Sequence, residues 1–156
     1  MNKWIVVLLV LVVSLVFRFQ HIRSTPPGLY PDEAINGNNA RAALTTGNFK
    51  VFYPENNGRE GLFINLQALS INIFGDQPWA LRMVSAIFGV LTVIGTYFLA
   101  KQLFNWQIGF FSSFLLAVSF WHTLFSRIGF RAIMAPFFLV WGLYFFLARI
   151  GFGSAF

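Results

Sequence analysis

Long apolar runs separated by one extended polar stretch organise the chain. A helix that crosses a bilayer needs roughly 20 mostly apolar residues. Four runs reach or approach that length, at about residues 4–19, 79–100, 108–126 and 132–148. Pro136 lies near the start of the fourth run, where a helix least needs the missing N–H. The pattern therefore predicts an all-α, polytopic membrane protein with about four transmembrane helices.

The first apolar run is short and has two interpretations. Its core, residues 5–17, follows Lys3 and precedes Arg18, which is also the layout of a secretory signal peptide. However, the sequence that follows, RFQHIRSTPPG, lacks the small-residue pattern of a cleavage site. We therefore expect an uncleaved first helix.

The polar stretch, residues 20–78, separates the first two runs and contains all five acidic residues, so it forms a long loop outside the bilayer core. Its pattern predicts helices over about 32–46 and 60–74, each followed by a glycine that suits a helix end. The second helix carries an apolar stripe that is too short and too interrupted for a span. We therefore expect two helices in this loop that lie along the membrane surface. The stripe consists of Leu62, Leu66, Leu69 and Ile73.

The amino-acid composition supports a membrane protein and indicates which class of ligand the basic residues would bind. Hydrophobic residues make up 57% of the chain and charged residues 10%, whereas soluble domains are about one quarter charged. The net charge is +6, but the basic residues are scattered among apolar runs. This distribution favours an anionic lipid or a phosphate-bearing ligand over nucleic acid. The chain has no cysteine, and His21 and His122 lack the spacing of a metal site.

An acidic pair, Asp32 and Glu33, follows Pro31 just beyond the first apolar run. One interpretation is local, because Asp32 can cap the helix predicted over about 32–46 and Glu33 suits the first turn of that helix, where the helix dipole favours an acid. The other is a functional site, since a capping residue can also face a ligand. The residues alone leave both interpretations open.

Four segments in this order resemble a known family. They are PDEAINGNNARAALTTG, REGLFINLQALSINIFG, PWALRMVSAIFGVLTVIGTYFLAKQLF and FWHTLFSRIGFRAIMAPFFLVWGLYFFLAR. Together they are similar to the amino-terminal part of a GT-C fold membrane glycosyltransferase. The most similar branch includes the dolichyl-phosphate-mannose protein mannosyltransferases and the bacterial lipid A aminoarabinose transferases. The resemblance covers nearly the whole chain and rests on the joint order of its features.

The resemblance implies a reaction. Such enzymes move a sugar from a polyprenyl-phosphate carrier to an acceptor glycan, lipid or protein on the outer face of the membrane, with inversion at the anomeric carbon. The transfer needs a base at the acceptor hydroxyl and positive charge at the departing phosphate. By the family pattern Asp32 is the candidate base and Glu33 its neighbour. The resemblance names no certain cofactor, and because some relatives use a divalent metal, metal dependence is left open.

Three arginines are candidates to bind the lipid phosphate. Arg82 matches an arginine near the outer end of the second span in this family. It can pair with an acid or the phosphate, or simply extend to the membrane interface beside Trp79. Arg127 and Arg131 flank the short loop after the third span and would share a face on a continuing helix. His122 is expected to be a packed residue rather than a metal ligand.

We expect a multi-pass protein of a prokaryotic plasma membrane. The orientation of the family places its amino terminus in the cytoplasm. The positive-inside rule favours the opposite arrangement. We keep the family orientation because outer arginines have a phosphate to bind. The inner basic residues would be Lys3, Lys101 and Arg149, and the outer ones Arg18, Arg23, Arg82, Arg127 and Arg131.

Relatives have more spans than this chain, so we expect residues 1–156 to be one transmembrane module, a fragment of a longer transferase that is inactive alone. A second interpretation is a non-catalytic membrane module that binds a lipid phosphate or a partner protein. A transporter part ranks last, because charges in several spans would be expected and only Arg82 comes close.

Overall fold

The structure, a computed structural model, describes residues 3–55 and 57–151. Within these residues it contains seven α-helices and one two-stranded antiparallel pair, which confirms the all-α class. A short 3-10 turn, Arg131–Ile133, precedes the last helix. The helices are α1 Lys3–Phe19, α2 Pro31–Thr46, α3 Gly61–Phe74, α4 Pro78–Leu103, α5 Trp106–Val118, α6 Phe120–Arg127 and α7 Met134–Arg149, and the strands are β1 Phe52–Tyr53 and β2 Arg59–Glu60.

The longest helix, α4, is the centre of the bundle and contacts α1, α3, α5, α6 and α7. Small residues let neighbouring helices approach it closely, as expected for membrane helices. A Cβ added at Gly89 would lie 3.0 Å from Arg18 Nε of α1. One added at Gly109 of α5 would lie 2.9 Å from the carbonyl oxygen of Tyr97. The two glycines therefore leave room for α1 and α5 to lie close to α4.

The four predicted spans are all helical, but they differ in length and continuity. Two helical segments, Pro78–Leu103 and Arg131–Arg149, are long and apolar enough to cross a membrane. The third predicted span is broken at Ser119 into α5 and α6, which are bent by 57° and count as one more span if taken together. The first, Trp4–Phe19, is a shorter apolar helix. The described residues therefore provide two or three helices of spanning length, where the sequence predicted four.

The two helices of the loop between α1 and α4 lie where they were predicted, with one correction at the start of α2. This helix begins at Pro31 and has Tyr30 as its N-cap, so the capping role that the sequence suggested for Asp32 is wrong. Gly47 ends α2 with a positive φ of 68°, which glycine adopts without strain.

Helix α3 buries the face opposite its predicted apolar stripe. Phe63, Ile64 and Ala68 are buried against the neighbouring helices. Leu62, Leu69 and Ile73 of the stripe are at least half exposed. An exposed apolar stripe beside a buried face is what a helix at a membrane surface presents to lipid.

Candidate active site

Glu33 and Arg82 form a buried ion pair where the loop of residues 20–78 meets the bundle. Their side chains are 1% and 2% exposed, and Arg82 Nε donates to Glu33 Oε1 over 3.0 Å. The carboxylate also accepts the backbone N–H groups of Tyr30 at 3.0 Å and Gly129 at 2.6 Å. Glu33 thus holds together the start of α2, the helix α4 and the loop after α6.

The guanidinium of Arg82 has further partners on the chain that leads into α2. Its Nη1 donates to the carbonyl oxygen of Pro26 at 2.7 Å, and its Nη2 donates to that of Gly28. A second, longer hydrogen bond joins Nη2 to Glu33 Oε2 at 3.4 Å. All three nitrogens of Arg82 are therefore committed to protein acceptors, and the arginine fixes the proline-rich approach to the acidic pair.

Asp32 occupies a different environment, although it is the adjacent residue. Its side chain is 30% exposed, and its Oδ1 accepts a hydrogen bond of 2.8 Å from Arg59 Nη2. Arg59 is 5% exposed and also donates to the side chain of Asn36, one turn further along α2. A nearly buried arginine thus holds a partly exposed carboxylate in the first turn of α2.

The β1–β2 hairpin brings Arg59 to this position. Tyr53 pairs with Arg59 in the antiparallel register, and Gly58 takes a positive φ of 82° to enter β2. The next turn is crowded, because a Cβ added at Gly61 would lie 2.8 Å from the carbonyl oxygen of Val51. The sequence of this region predicted only a loop. Arg59 was missed because its partner, Asp32, is 27 residues away.

Arg127 and Arg131 do not share a face, so the expectation for a continuing helix is wrong. Helix α6 ends at Arg127, and the chain is extended at Ile128 before the 3-10 turn begins. Arg127 donates to the carbonyl oxygens of Phe17 and Thr25, both at 2.9 Å. It thereby joins α6 to the end of α1 and the loop that follows.

Arg131 instead pairs with Glu60, the residue that precedes α3. The two side chains are 36% and 67% exposed. They lie at the edge of a cavity of about 530 Å³. Its other lining residues are Leu62, Phe130, Ala132, Met134, Ala135 and Phe138.

The structure thus places Asp32, Glu33 and Arg82 at one end of the bundle. Glu33 and Arg82 form a buried pair, and Asp32 pairs separately with Arg59. Within residues 3–55 and 57–151, no group of three or more His, Asp or Glu side chains is placed to hold a metal ion. His122 is packed, as expected, and accepts a hydrogen bond of 2.7 Å from Arg18 through Nδ1. That contact was not foreseen, because neither residue has a sequence motif.

Comparison with known proteins gives one family. A model of the family described as dolichyl-phosphate-mannose-protein mannosyltransferase matches residues 62–153. This segment is more than half of the chain and runs from α3 through α7, so it includes all three candidate arginines and begins after the acidic pair. No curated protein and no solved structure matched the chain. Together with the apolar helices, the match shows that the chain belongs to the dolichyl-phosphate-mannose-protein mannosyltransferase family, and hence to the integral membrane glycosyltransferases of the mannosyltransferase type.

Proposed function

We propose that residues 1–156 form one transmembrane module of a glycosyltransferase that uses a polyprenyl-phosphate-linked sugar. The sugar passes to an acceptor hydroxyl on the outer face of a prokaryotic plasma membrane, and Asp32 acts as the base. The observation that carries this proposal is the division of the acidic pair. Glu33 is buried and accepts four hydrogen bonds from Arg82, Tyr30 and Gly129. Asp32 is partly exposed and forms an ion pair with Arg59.

This division suits general base catalysis. The base must reach the acceptor hydroxyl and take its proton as the new glycosidic bond forms. Asp32 is 30% exposed, so an acceptor can approach it, and Arg59 holds its carboxylate in one orientation. Glu33 is enclosed by protein donors and therefore serves as the support for the start of α2.

The departing phosphate needs a cation that substrate can reach. Of the three candidate arginines, Arg82 is buried and committed to the protein, and Arg127 is engaged with two carbonyl oxygens. Arg131 is 36% exposed at the edge of a cavity, and its partner Glu60 is more exposed still. We therefore assign the phosphate contact to Arg131 and a positioning role to the other two.

The donor class and the role of Arg59 can be tested together. Membranes containing the complete transferase that carries this sequence are expected to transfer sugar from polyprenyl-phosphate mannose and not directly from a nucleotide sugar. Arg59→Gln should lower that transfer by about 10–100-fold, because a hydrogen bond to a charged group contributes about 1.5–3 kcal/mol. Arg59→Lys should retain more activity, since it keeps the charge beside Asp32.

Radiolabelled donor and product extraction measure both effects. Arg41→Gln is the matched control, because Arg41 forms an ion pair with Asp76 in the same loop and both side chains are more than half exposed. It should have little effect on transfer. Efficient transfer from the nucleotide sugar would contradict the donor assignment, and an unchanged rate in Arg59→Gln would contradict the support of Asp32 by Arg59.

The orientation has an independent test. We expect position 38 on α2 to lie outside the cell and position 107, at the start of α5, to lie inside. The chain has no cysteine, so Asn38→Cys and Gln107→Cys each introduce a single thiol at an exposed position. A membrane-impermeant thiol reagent should label Asn38→Cys in intact cells and label Gln107→Cys only after lysis. Labelling of position 107 alone in intact cells would reverse the assignment.

A further inference from the structure

The break between α5 and α6 contains no proline or glycine, and Ser119, the N-cap of α6, makes no side-chain capping hydrogen bond. Sharp helix bends usually occur at proline, at glycine or serine pairs, or where a side chain inserts into the backbone ladder. The segment LAVSFW, residues 116–121, has no proline or glycine and only one serine. Ser119 is nevertheless extended, with φ −59° and ψ 124°, and the helices on either side diverge by 57°.

A side chain from the first helix lies at this break. Arg18 of α1 is fully buried. Its Nη1 donates to the carbonyl oxygen of Ala117 at 3.0 Å, and its Nη2 lies 3.5 Å from that of Leu116. These are carbonyls of the last turn of α5, which a break leaves without the N–H groups of a continuing helix. The Leu116 carbonyl also accepts from the N–H of Ser119 at 3.3 Å, and that of Ala117 accepts from Thr123 Oγ1 at 3.4 Å. Arg18 therefore caps the carboxyl end of α5 across the bundle.

His122, on the first turn of α6, completes the contact. Arg18 Nη2 and His122 Nδ1 are 2.7 Å apart. A guanidinium can only donate, so Nδ1 must accept and the proton of the neutral ring resides on Nε2. The arginine thus binds both sides of the break, the end of α5 and the start of α6.

Burying this charge is costly, and no carboxylate offsets it among the contacts of Arg18 in the part of the chain that the structure describes. Its guanidinium meets the carbonyl oxygens of Ser14, Leu116 and Ala117 and the ring of His122. The partial negative charge at the end of a helix favours a cation there. An ionisable group inside a membrane bundle is a functional candidate, and this one contacts the bend instead of a substrate.

The bend determines where the chain goes next. Helix α6 runs from the break to Arg127, which reaches the end of α1 and the carbonyl oxygen of Thr25. Two residues later the N–H of Gly129 reaches the Glu33 carboxylate at 2.6 Å. A straight continuation of α5 would direct this loop elsewhere. The contacts that build the candidate active site therefore depend on the angle at Ser119.

We propose that Arg18 is a positioning residue that holds the third span broken. Together with His122 it fixes the bend between α5 and α6, and the bend delivers the loop of residues 128–131 to Glu33 and Glu60. The role belongs to the geometry of the bundle and holds whichever sugar donor the enzyme uses.

The test measures the position of this loop by cross-linking in the complete membrane-inserted protein. Leu62 and Ala135 line the same cavity from α3 and α7, so Leu62→Cys with Ala135→Cys reports whether α7 follows the bend correctly. Leu103 and Ala148 line a cavity at the other end of α4 and α7. Leu103→Cys with Ala148→Cys is therefore the control pair. A short bismaleimide reagent joins each pair, and gel mobility after proteolysis between the sites gives the yield.

Arg18→Met should lower the yield of the 62–135 pair several-fold and leave the 103–148 pair unchanged. His122→Asn should resemble the native protein, because its Oδ1 accepts where Nδ1 did, and His122→Phe should lose yield at the 62–135 pair. If Arg18→Met lowers the cross-linking yield of both pairs, the comparison of His122→Asn with His122→Phe at the 62–135 pair tests the proposal by itself. Native yields at the 62–135 pair in Arg18→Met, or equal yields in His122→Asn and His122→Phe, would overturn the proposal.

Discussion

Replacing Asp32 by asparagine is expected to lower sugar transfer by about 10²–10⁴-fold, the usual contribution of a positioned base, and to leave the protein folded. The amide keeps the size of the side chain and an oxygen that can accept from Arg59 Nη2, as Oδ1 does now. It removes the group that takes the acceptor's proton. Asp32 is not the N-cap of α2, so the substitution does not remove a cap. Transfer from polyprenyl-phosphate mannose in isolated membranes measures the effect.

The control for this variant is Asp76→Asn. Asp76 belongs to the same loop of residues 20–78 and is also paired with an arginine, Arg41, but both side chains are more than half exposed. We expect Asp76→Asn to transfer sugar at close to the native rate. If Asp32→Asn also transferred sugar at close to the native rate, Asp32 would not be the base. That result would favour the interpretation of the module as a non-catalytic one that binds a lipid phosphate or a partner protein.

The helices could be predicted from the sequence because their determinants are local. Glycines after α2 and α3 and the proline at the start of α4 mark helix ends within one or two residues of those observed. The apolar runs identified α4 and α7 as spans for the same reason. Such features depend on neighbouring residues alone, unlike the break that divides the third predicted span at Ser119.

The candidate site could be predicted only in part, because its geometry depends on contacts between distant segments. Asp32 and Glu33 are adjacent and chemically alike, and their local sequence does not distinguish them. Their environments diverge because Gly129, 96 residues away, donates to Glu33 and Arg59 donates to Asp32. The break at Ser119 likewise depends on Arg18, which is 99 residues from Ala117.

The second large effect is the loss of stability expected when Arg82 is replaced. It tests whether Glu33 and Arg82 support the fold and take no part in the proposed reaction. Removing one partner of a buried ion pair costs about 3–5 kcal/mol, because the other charge stays buried without compensation. Glu33 and Arg82 are 1% and 2% exposed, so Arg82→Met should destabilise the protein by about that amount. The loss of the hydrogen bonds to Pro26 and Gly28 acts in the same direction.

Arg131→Met is the matched comparison, since Arg131 also pairs with a glutamate but is partly exposed, and Glu60 is more exposed still. Exposed pairs contribute about 0–1 kcal/mol, so its free energy of unfolding should remain close to the native value while phosphate binding and transfer decline. Detergent-induced unfolding in mixed micelles, followed by circular dichroism, measures both variants under one set of conditions. If Arg82→Met were as stable as Arg131→Met, the Glu33–Arg82 pair would not support the fold, and Arg82 would return as the candidate for the lipid phosphate. The expected result is the opposite: Arg82→Met loses the folded state and activity together, and Arg131→Met loses activity alone.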